Sequence, residues 1–202
     1  MNTWIALLRG VNVLGSRKLS MKDLTATFER AGFASVRTYI QSGNVVFQSA
    51  KGPARALSTQ IAQLMQKKFG FQPQVMVLSE RELAAAVSGN PFPEAVTDHK
   101  SLHLFFLSER PSNPDLGSLA RLKSGNEGFA LKGHVFYLHT PQGFAISKVR
   151  AKIERCLGVH ATGRNWRTAN QLLEMSREPS GDKATPSKRR PLHCPAARSA
   201  RR

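Results

Sequence analysis

Apolar positions along the chain keep time in two rhythms, and the order in which those rhythms alternate predicts the architecture. Thr3 to Leu8 is a short apolar run with β-branched and aromatic members. Arg9-Gly10-Val11-Asn12-Val13-Leu14-Gly15 follows with two glycines, so the stretch reads as a strand and then a loop. Ser20 is placed to cap a helix, with Asp23 three positions on, and Leu24, Phe28 and Ala31 recur at helical spacing until Gly32 ends it. Val36, Thr38 and Ile40 alternate with Arg37, Tyr39 and Gln41, and Ser42-Gly43-Asn44 turns the chain into Val45-Val46-Phe47, a β-hairpin. Leu57, Ile61, Leu64, Met65 and Phe69 share one side of a second helix that Gly70 stops, and Gln74 to Leu78 reads as a fourth strand. This order is β-α-β-β-α-β, the split βαβ unit of ferredoxin-like domains.

Ser79 and Glu82 form a capping-box pair at the head of a short helix through Val87, which Gly89-Asn90-Pro91-Phe92-Pro93 breaks. The pattern then restarts. Leu102 to Leu107 predicts a strand, Pro114 to Leu122 a helix, and Gly128 to Leu131 with Val135 to His139 a hairpin about Lys132-Gly133-His134. Ile146 to Leu157 predicts another helix, Val159 to Thr162 a short strand, and Asn165 to Met175 a last helix that starts at Trp166. The expected fold class is α+β, with two ferredoxin-like (βαββαβ-type) halves packed together. The first half is residues 1–89, the connector 90–100 and the second half 101–178. Residues 179–202 hold Pro, Ser, Lys and Arg without apolar periodicity, so they cannot bury enough surface to offset the entropy of ordering. They are expected to form a disordered basic C-terminal tail.

Charge is uneven in the same places. The chain carries 30 Lys and Arg against 13 Asp and Glu, a formal +17; beyond Glu178 seven of those cations face Asp182 alone, which puts +6 on the tail and +11 on the body. At 41% hydrophobic and 21% charged, the body can bury a sizeable core. No apolar run approaches the roughly 18 residues of a membrane span, and Arg9 interrupts the N-terminal run too early for a signal peptide. The expectation is a cytoplasmic protein, monomeric and without membrane contact. Cys156 and Cys194 are too few for a disulfide framework, and Cys156 beside Leu157 reads as a small buried hydrophobe.

Familiar catalytic signatures fail on detail. Gly10 and Gly15 after a strand suggest a phosphate-cradling loop, but Ser16-Arg17 stands where Lys-Ser or Lys-Thr is required, and the helix begins only near Ser20. The six histidines do not cluster, so no metal and no cofactor is implied. No nucleophile elbow or zincin motif occurs, which leaves enzymatic activity open. An RNA-recognition motif would stack bases on aromatics of its central strands, yet Val45-Val46-Phe47 lacks the basic-Gly-aromatic pattern. Surplus positive charge keeps nonspecific nucleic-acid binding as the alternative function.

Polar groups gather at the ends of the predicted strands. Thr162-Gly163-Arg164-Asn165-Trp166-Arg167-Thr168 couples an arginine to a helix start capped by Asn165, with Trp166 either a stacking wall or part of a buried face. Arg37, Tyr39 and Gln41 share a strand face that either lies open or meets the second half. A small anionic or phosphorylated ligand would suit a polar cleft between the halves built from Arg9, Asn12, Tyr39, Gln41, Ser42, Asn44 and Arg164. The rival account makes Gly43 and Asn44 turn residues and gives Gln41 a backbone-bonding role.

Across Ala6 to Val13, Met21-Lys22-Asp23-Leu24, Thr38 to Phe47, Asn90-Pro91-Phe92 and Thr162 to Thr168, the sequence resembles the bacterial domain of unknown function family 1697. Members usually carry a second glycine where Leu14 stands, which weakens the phosphate-loop reading further. The resemblance implies an α+β fold of paired ferredoxin-like halves to about Glu178, and it implies no particular chemistry.

Overall fold

The computed structural model describes residues 1–12, 19–50 and 52–178. The centre of the first glycine loop and the tail over 179–202 lie outside the described residues. Strands β1 (Asn2–Leu8), β2 (Ala34–Tyr39), β3 (Asn44–Ser49) and β4 (Val75–Ser79) make one antiparallel sheet in the order β2-β3-β1-β4. Strands β5 (Leu102–Leu107), β6 (Gly128–Lys132), β7 (Val135–His139) and β8 (Ala161–Asn165) make a second in the order β6-β7-β5-β8.

Alternation along the central strands divides the core. On the outer face of the first sheet Ala6, Leu8, Val45 and Phe47 meet α1 (Met21–Arg30) through Leu24 and Phe28, and α2 (Ala54–Phe69) through Leu57, Ile61 and Met65. On the outer face of the second sheet Phe105, Leu107, Phe136 and Leu138 meet Leu119 of α4 (Leu116–Leu122) and Ile153 and Leu157 of α5 (Ile153–Leu157). The two inner faces, with Ile5, Leu7 and Val46 on one and Leu104, Phe106 and Tyr137 on the other, close on a middle layer of two helices. These are α3 (Glu80–Ser88) and α6 (Trp166–Arg177), which contribute Leu83, Ala86, Ala169 and Leu172. Each sheet is therefore buried on both faces, which explains the nearly continuous apolar runs of β1 and β5.

Local chemistry sets the helix starts. Ser79 and Glu82 complete a reciprocal capping box on α3, and Asn165 accepts from Thr168 N–H at the head of α6. Ser20 accepts from Asp23 N–H in the same way at α1. Three expected elements differ. Strand β2 ends at Tyr39, because Ile40 adopts φ +47° and leaves the sheet with 54% of its surface exposed. The helix expected over 146–157 is two 3-10 turns, Phe144–Ile146 and Arg150–Lys152, followed by α5; Ser147 at ψ 122° interrupts the winding while Val149, Ile153 and Leu157 still bury at the intended spacing. The last strand starts later than expected and runs through Asn165.

Four backbone bonds put the halves in correspondence. Leu8 N–H donates to Gly43 O at 2.8 Å as Leu107 N–H does to His134 O at 2.9 Å, and Arg9 N–H reaches Gln74 O as Ser108 N–H reaches His160 O, both at 2.9 Å. Counting outward from these bonds pairs Leu78 with Arg164, Asn44 with Val135, and the caps Ser79 and Asn165.

His103 of β5 carries a pH dependence. Its ring stacks on Phe144 with centroids 3.7 Å apart. Burial, and then the charge of Arg150, push its pKa down from 6.5 to about 4. As the pH falls below 6.5 the unfolded chain takes up a proton that the folded chain refuses, so the stability held above that value is lost progressively towards pH 4. The full effect is at most about 3 kcal/mol. Denaturant midpoints measured between pH 7 and pH 4 should fall less steeply for His103→Phe than for the parent; parallel slopes would show that His103 protonates equally in both states.

Candidate functional site

Arg164 lies at the junction of the halves. It projects from β8 against the end of β1 and the β2–β3 turn. Its Nε donates to Asn44 Oδ1 at 2.5 Å, its Nη1 to Gly163 O at 2.8 Å, and its Nη2 to Leu8 O at 3.1 Å and Ser42 O at 3.3 Å. The residue as a whole is only half-buried, but its charged end is ringed by these oxygens and withdrawn from water. Desolvation accordingly pulls the guanidinium pKa down to about 10, which leaves it cationic at neutral pH. None of the four acceptors is a carboxylate. The charge is held by carbonyl dipoles alone.

The turn opposite Arg164 is built to receive it. Asn44, fully buried, donates through Nδ2 to Tyr39 O at 3.2 Å and to Ser42 Oγ at 2.8 Å. Asn12 donates to Gln41 O and Leu19 O, both at 2.9 Å, and accepts from Leu19 N–H at 2.7 Å. Together Asn12, Asn44 and Arg164 hold the carbonyls of Tyr39, Gln41 and Ser42, and so fix a turn in which a β-branched residue sits at positive φ. Gly43 at φ +69° completes the turn; a Cβ there would lie 2.9 Å from both Leu8 O and Leu8 Cβ.

Arg9 works at the other end of the same seam. It forms a two-pronged pair with Glu154 of α5 at 2.5 and 2.8 Å and also donates to Gln74 Oε1 at 3.0 Å. Glu154 in turn accepts from Ala161 N–H at 2.8 Å. Burial would raise its pKa, but the bonds from Arg9 and Ala161 outweigh burial and bring it below the usual carboxylate range. Arg37, on the face of β2 that meets the second half, bonds Glu178 and the Met175 carbonyl of α6.

The residues singled out by sequence thus fall into three groups. Asn12, Ser42, Asn44 and Arg164 converge with the backbone of Tyr39 and Gln41. Tyr39 packs its ring on the central core, and Gln41 leaves its side chain in solvent. Arg9 stands apart, paired with Glu154. Across this seam the hydrogen-bonding groups are turned on one another.

The reciprocal seam is open. Strand β4, the start of α2, the end of β5 and the β6–β7 turn enclose a cleft of about 860 Å³. Leu78, Phe106, Val135 and Tyr137 form its apolar floor, and Arg55, Lys132 and His134 stand on its rim with Glu82 and Glu109. Lys132 Nζ donates to Gly89 O at 2.8 Å. Tyr137 donates to Ala86 O at 2.7 Å, and burial pushes its pKa up to about 12, so it stays a neutral phenol. No local motif marks Arg55, Lys132 or His134; the one signal is the repeated element order, in which the β6–β7 turn answers the β2–β3 turn and His134 falls at the place of Gly43. A shallower hollow of about 400 Å³ lies between α4 and α5, where Arg121, Lys152 and Arg155 surround Cys156. Among the described residues no group of three His, Cys, Asp or Glu side chains is placed to hold a metal ion, and no helix is long and apolar enough to cross a membrane.

Fold and seam together define an α+β protein of two repeated, interlocked halves. The chain belongs to the protein family of unknown function DUF1697, whose model matches residues 1–137. Among solved structures it is similar to the conserved bacterial protein SP0830 from Streptococcus pneumoniae, with a TM-score of 0.61 and 21% identity, covering 87% of this chain and 99% of that one. That likeness is one of fold. No curated protein matches the chain.

The two arginines should differ sharply in weight. Arg164→Met keeps the apolar stem but strands the oxygens of Asn44, Leu8 and Ser42, and is expected to cost about 3 kcal/mol or more. Arg9→Ala breaks a pair whose arginine side chain is 44% exposed, and should cost no more than about 1 kcal/mol. Urea unfolding of both variants checks this; equal losses would show that the enclosed guanidinium has no special role.

Proposed function

We propose that the protein binds a small ligand carrying an anionic or phosphorylated group in the cleft between its halves, and that each half is a ferredoxin-like unit. The strand order, the same in both sheets, supports the second statement. The observation that carries the first is the open cleft itself. Its volume of about 860 Å³ falls in the range of small-molecule sites, and it joins an apolar floor to a few polar groups, as such sites do. Glu82 spends its carboxylate on the Ser79 N–H and hydroxyl, at 2.8 and 2.7 Å, which leaves Arg55 and His134 on the rim to meet an incoming anion beside the carboxylate of Glu109. In this reading Arg9 and Arg164 hold the halves in the register that shapes the cleft, while Asn12, Ser42, Asn44 and the backbone of Tyr39 and Gln41 form the turn that Arg164 grips. Nucleic-acid binding has only the +17 charge in its favour, and would show a steep salt dependence.

A thermal-shift screen of carboxylated and phosphorylated metabolites tests the proposal, since a ligand that binds only the native state raises its melting temperature. At least one compound should raise it by several degrees. Arg55→Ala combined with His134→Ala, both exposed positions, should leave the free protein within about 2 °C of the parent and remove most of that rise. A panel without a stabilising member, or a rise untouched by the double variant, would sink the assignment.

A further inference from the structure

We infer that the cleft takes a small zwitterion, a molecule bearing a carboxylate together with a guanidinium or ammonium group, the chemistry shared by free arginine and short peptides. This rests on the cleft being the binding site. The sealed seam and the open one correspond position by position, and differ in what occupies them.

In the sealed seam the edge strand is β8. Because Ser108 bonds His160, alternation directs the backbone groups of Ala161 and Gly163 away from β5 and into the seam. Both are occupied by side chains of this protein. Ala161 N–H donates to the Glu154 carboxylate at 2.8 Å, and Gly163 O accepts from the Arg164 guanidinium at 2.8 Å, which continues to Leu8 O. A carboxylate and a guanidinium therefore lie two residues apart along the strand, about 7 Å. That spacing also matches the reach of a dipeptide or of arginine.

In the open seam the edge strand is β4. The Arg9 to Gln74 bond sets the same alternation, so Val75 and Val77 direct a donor and an acceptor outward at the equivalent places, and Leu107 O is the counterpart of Leu8 O. Leu78 stands where Arg164 does, and Val135 where Asn44 does. Neither has a polar side chain to offer. The cleft thus keeps the backbone groups that hold a carboxylate and a guanidinium on the sealed side, and lacks the guanidinium and the amide that stand there. A zwitterion would set its carboxylate at Val75 N–H and its cation at the carbonyls of Val77 and Leu107. The rim supplies Arg55 and Glu109 as charges of both signs, and Leu78 and Phe106 support the carbon chain.

Calorimetric titration with L-arginine and with glycyl-arginine tests this. Each should show one saturable site, with affinity at least about ten-fold above acetate or methylguanidinium alone, because joining the two groups makes the second contact intramolecular. The double variant Leu78→Arg, Val135→Asn, which copies the sealed seam into the cleft, should weaken binding at least ten-fold. If that variant fails to fold, Ala85→Trp, at an exposed position on the cleft wall, blocks entry instead and should have the same effect. Zwitterion binding that neither variant alters overturns the inference. So does a protein that ignores zwitterions and binds inorganic phosphate or a phosphorylated metabolite through Arg55 and His134, an outcome that leaves the anion reading intact. Silence towards every ligand overturns both.

Discussion

A guanidinium enclosed without a carboxylate is the constraint on which the rest of the molecule turns. Ionised groups lose several kcal/mol when they leave water, and the loss is recovered only where dipoles of the right sign are already fixed around them. For Arg164 those dipoles are Leu8 O, Ser42 O, Gly163 O and Asn44 Oδ1. Two of them belong to the β2–β3 turn and one to the end of β1, so the second half cannot dock unless the first presents that turn in one conformation. Asn12 and Asn44 hold the turn in that form, and Gly43 allows it to close against Leu8. A local turn and a contact 120 residues away in sequence are thus parts of one hydrogen-bonded unit.

The middle layer follows from the same docking. Helices α3 and α6 begin directly after β4 and β8, each under its own side-chain cap, and neither can bury its apolar face on a single sheet. Leu83, Ala86, Ala169 and Leu172 are covered only because inner faces of both sheets reach them. Folding of the halves and their association are therefore coupled by apolar burial at the centre and by the Arg164 seam at one side.

Much of this fold was legible in sequence. Strand alternation, helical spacing and the capping pairs Ser79 with Glu82 and Asn165 with Thr168 are local signals, and local physics sets them. The misreadings arose where tertiary contacts override local pattern. Val149, Ile153 and Leu157 kept helical spacing although Ser147 stops the winding, and Ile40 kept strand alternation although the turn forces it to positive φ. The polar residues at strand ends were recognised, but periodicity does not say what a polar group faces. Arg9 and Arg164 read equally well as cations awaiting an anion. Only spatial structure shows that Glu154 holds the one and that backbone carbonyls hold the other.

Repetition of one unit also explains why the two seams need not be alike. Exchanging Arg164 and Asn44 for Leu78 and Val135 preserves backbone register while removing the side-chain donors and acceptor of those two positions from the junction. A seam filled with charge must be satisfied completely, because each unmade bond there costs more than an apolar contact would have gained. An apolar seam carries no such demand and can stay open to solvent as long as its edge-strand groups find water or a ligand. The polar seam therefore fixes the geometry of the halves, and the apolar one is left free to bind. A substitution that loosens the first should alter the shape of the second without touching a residue that lines it.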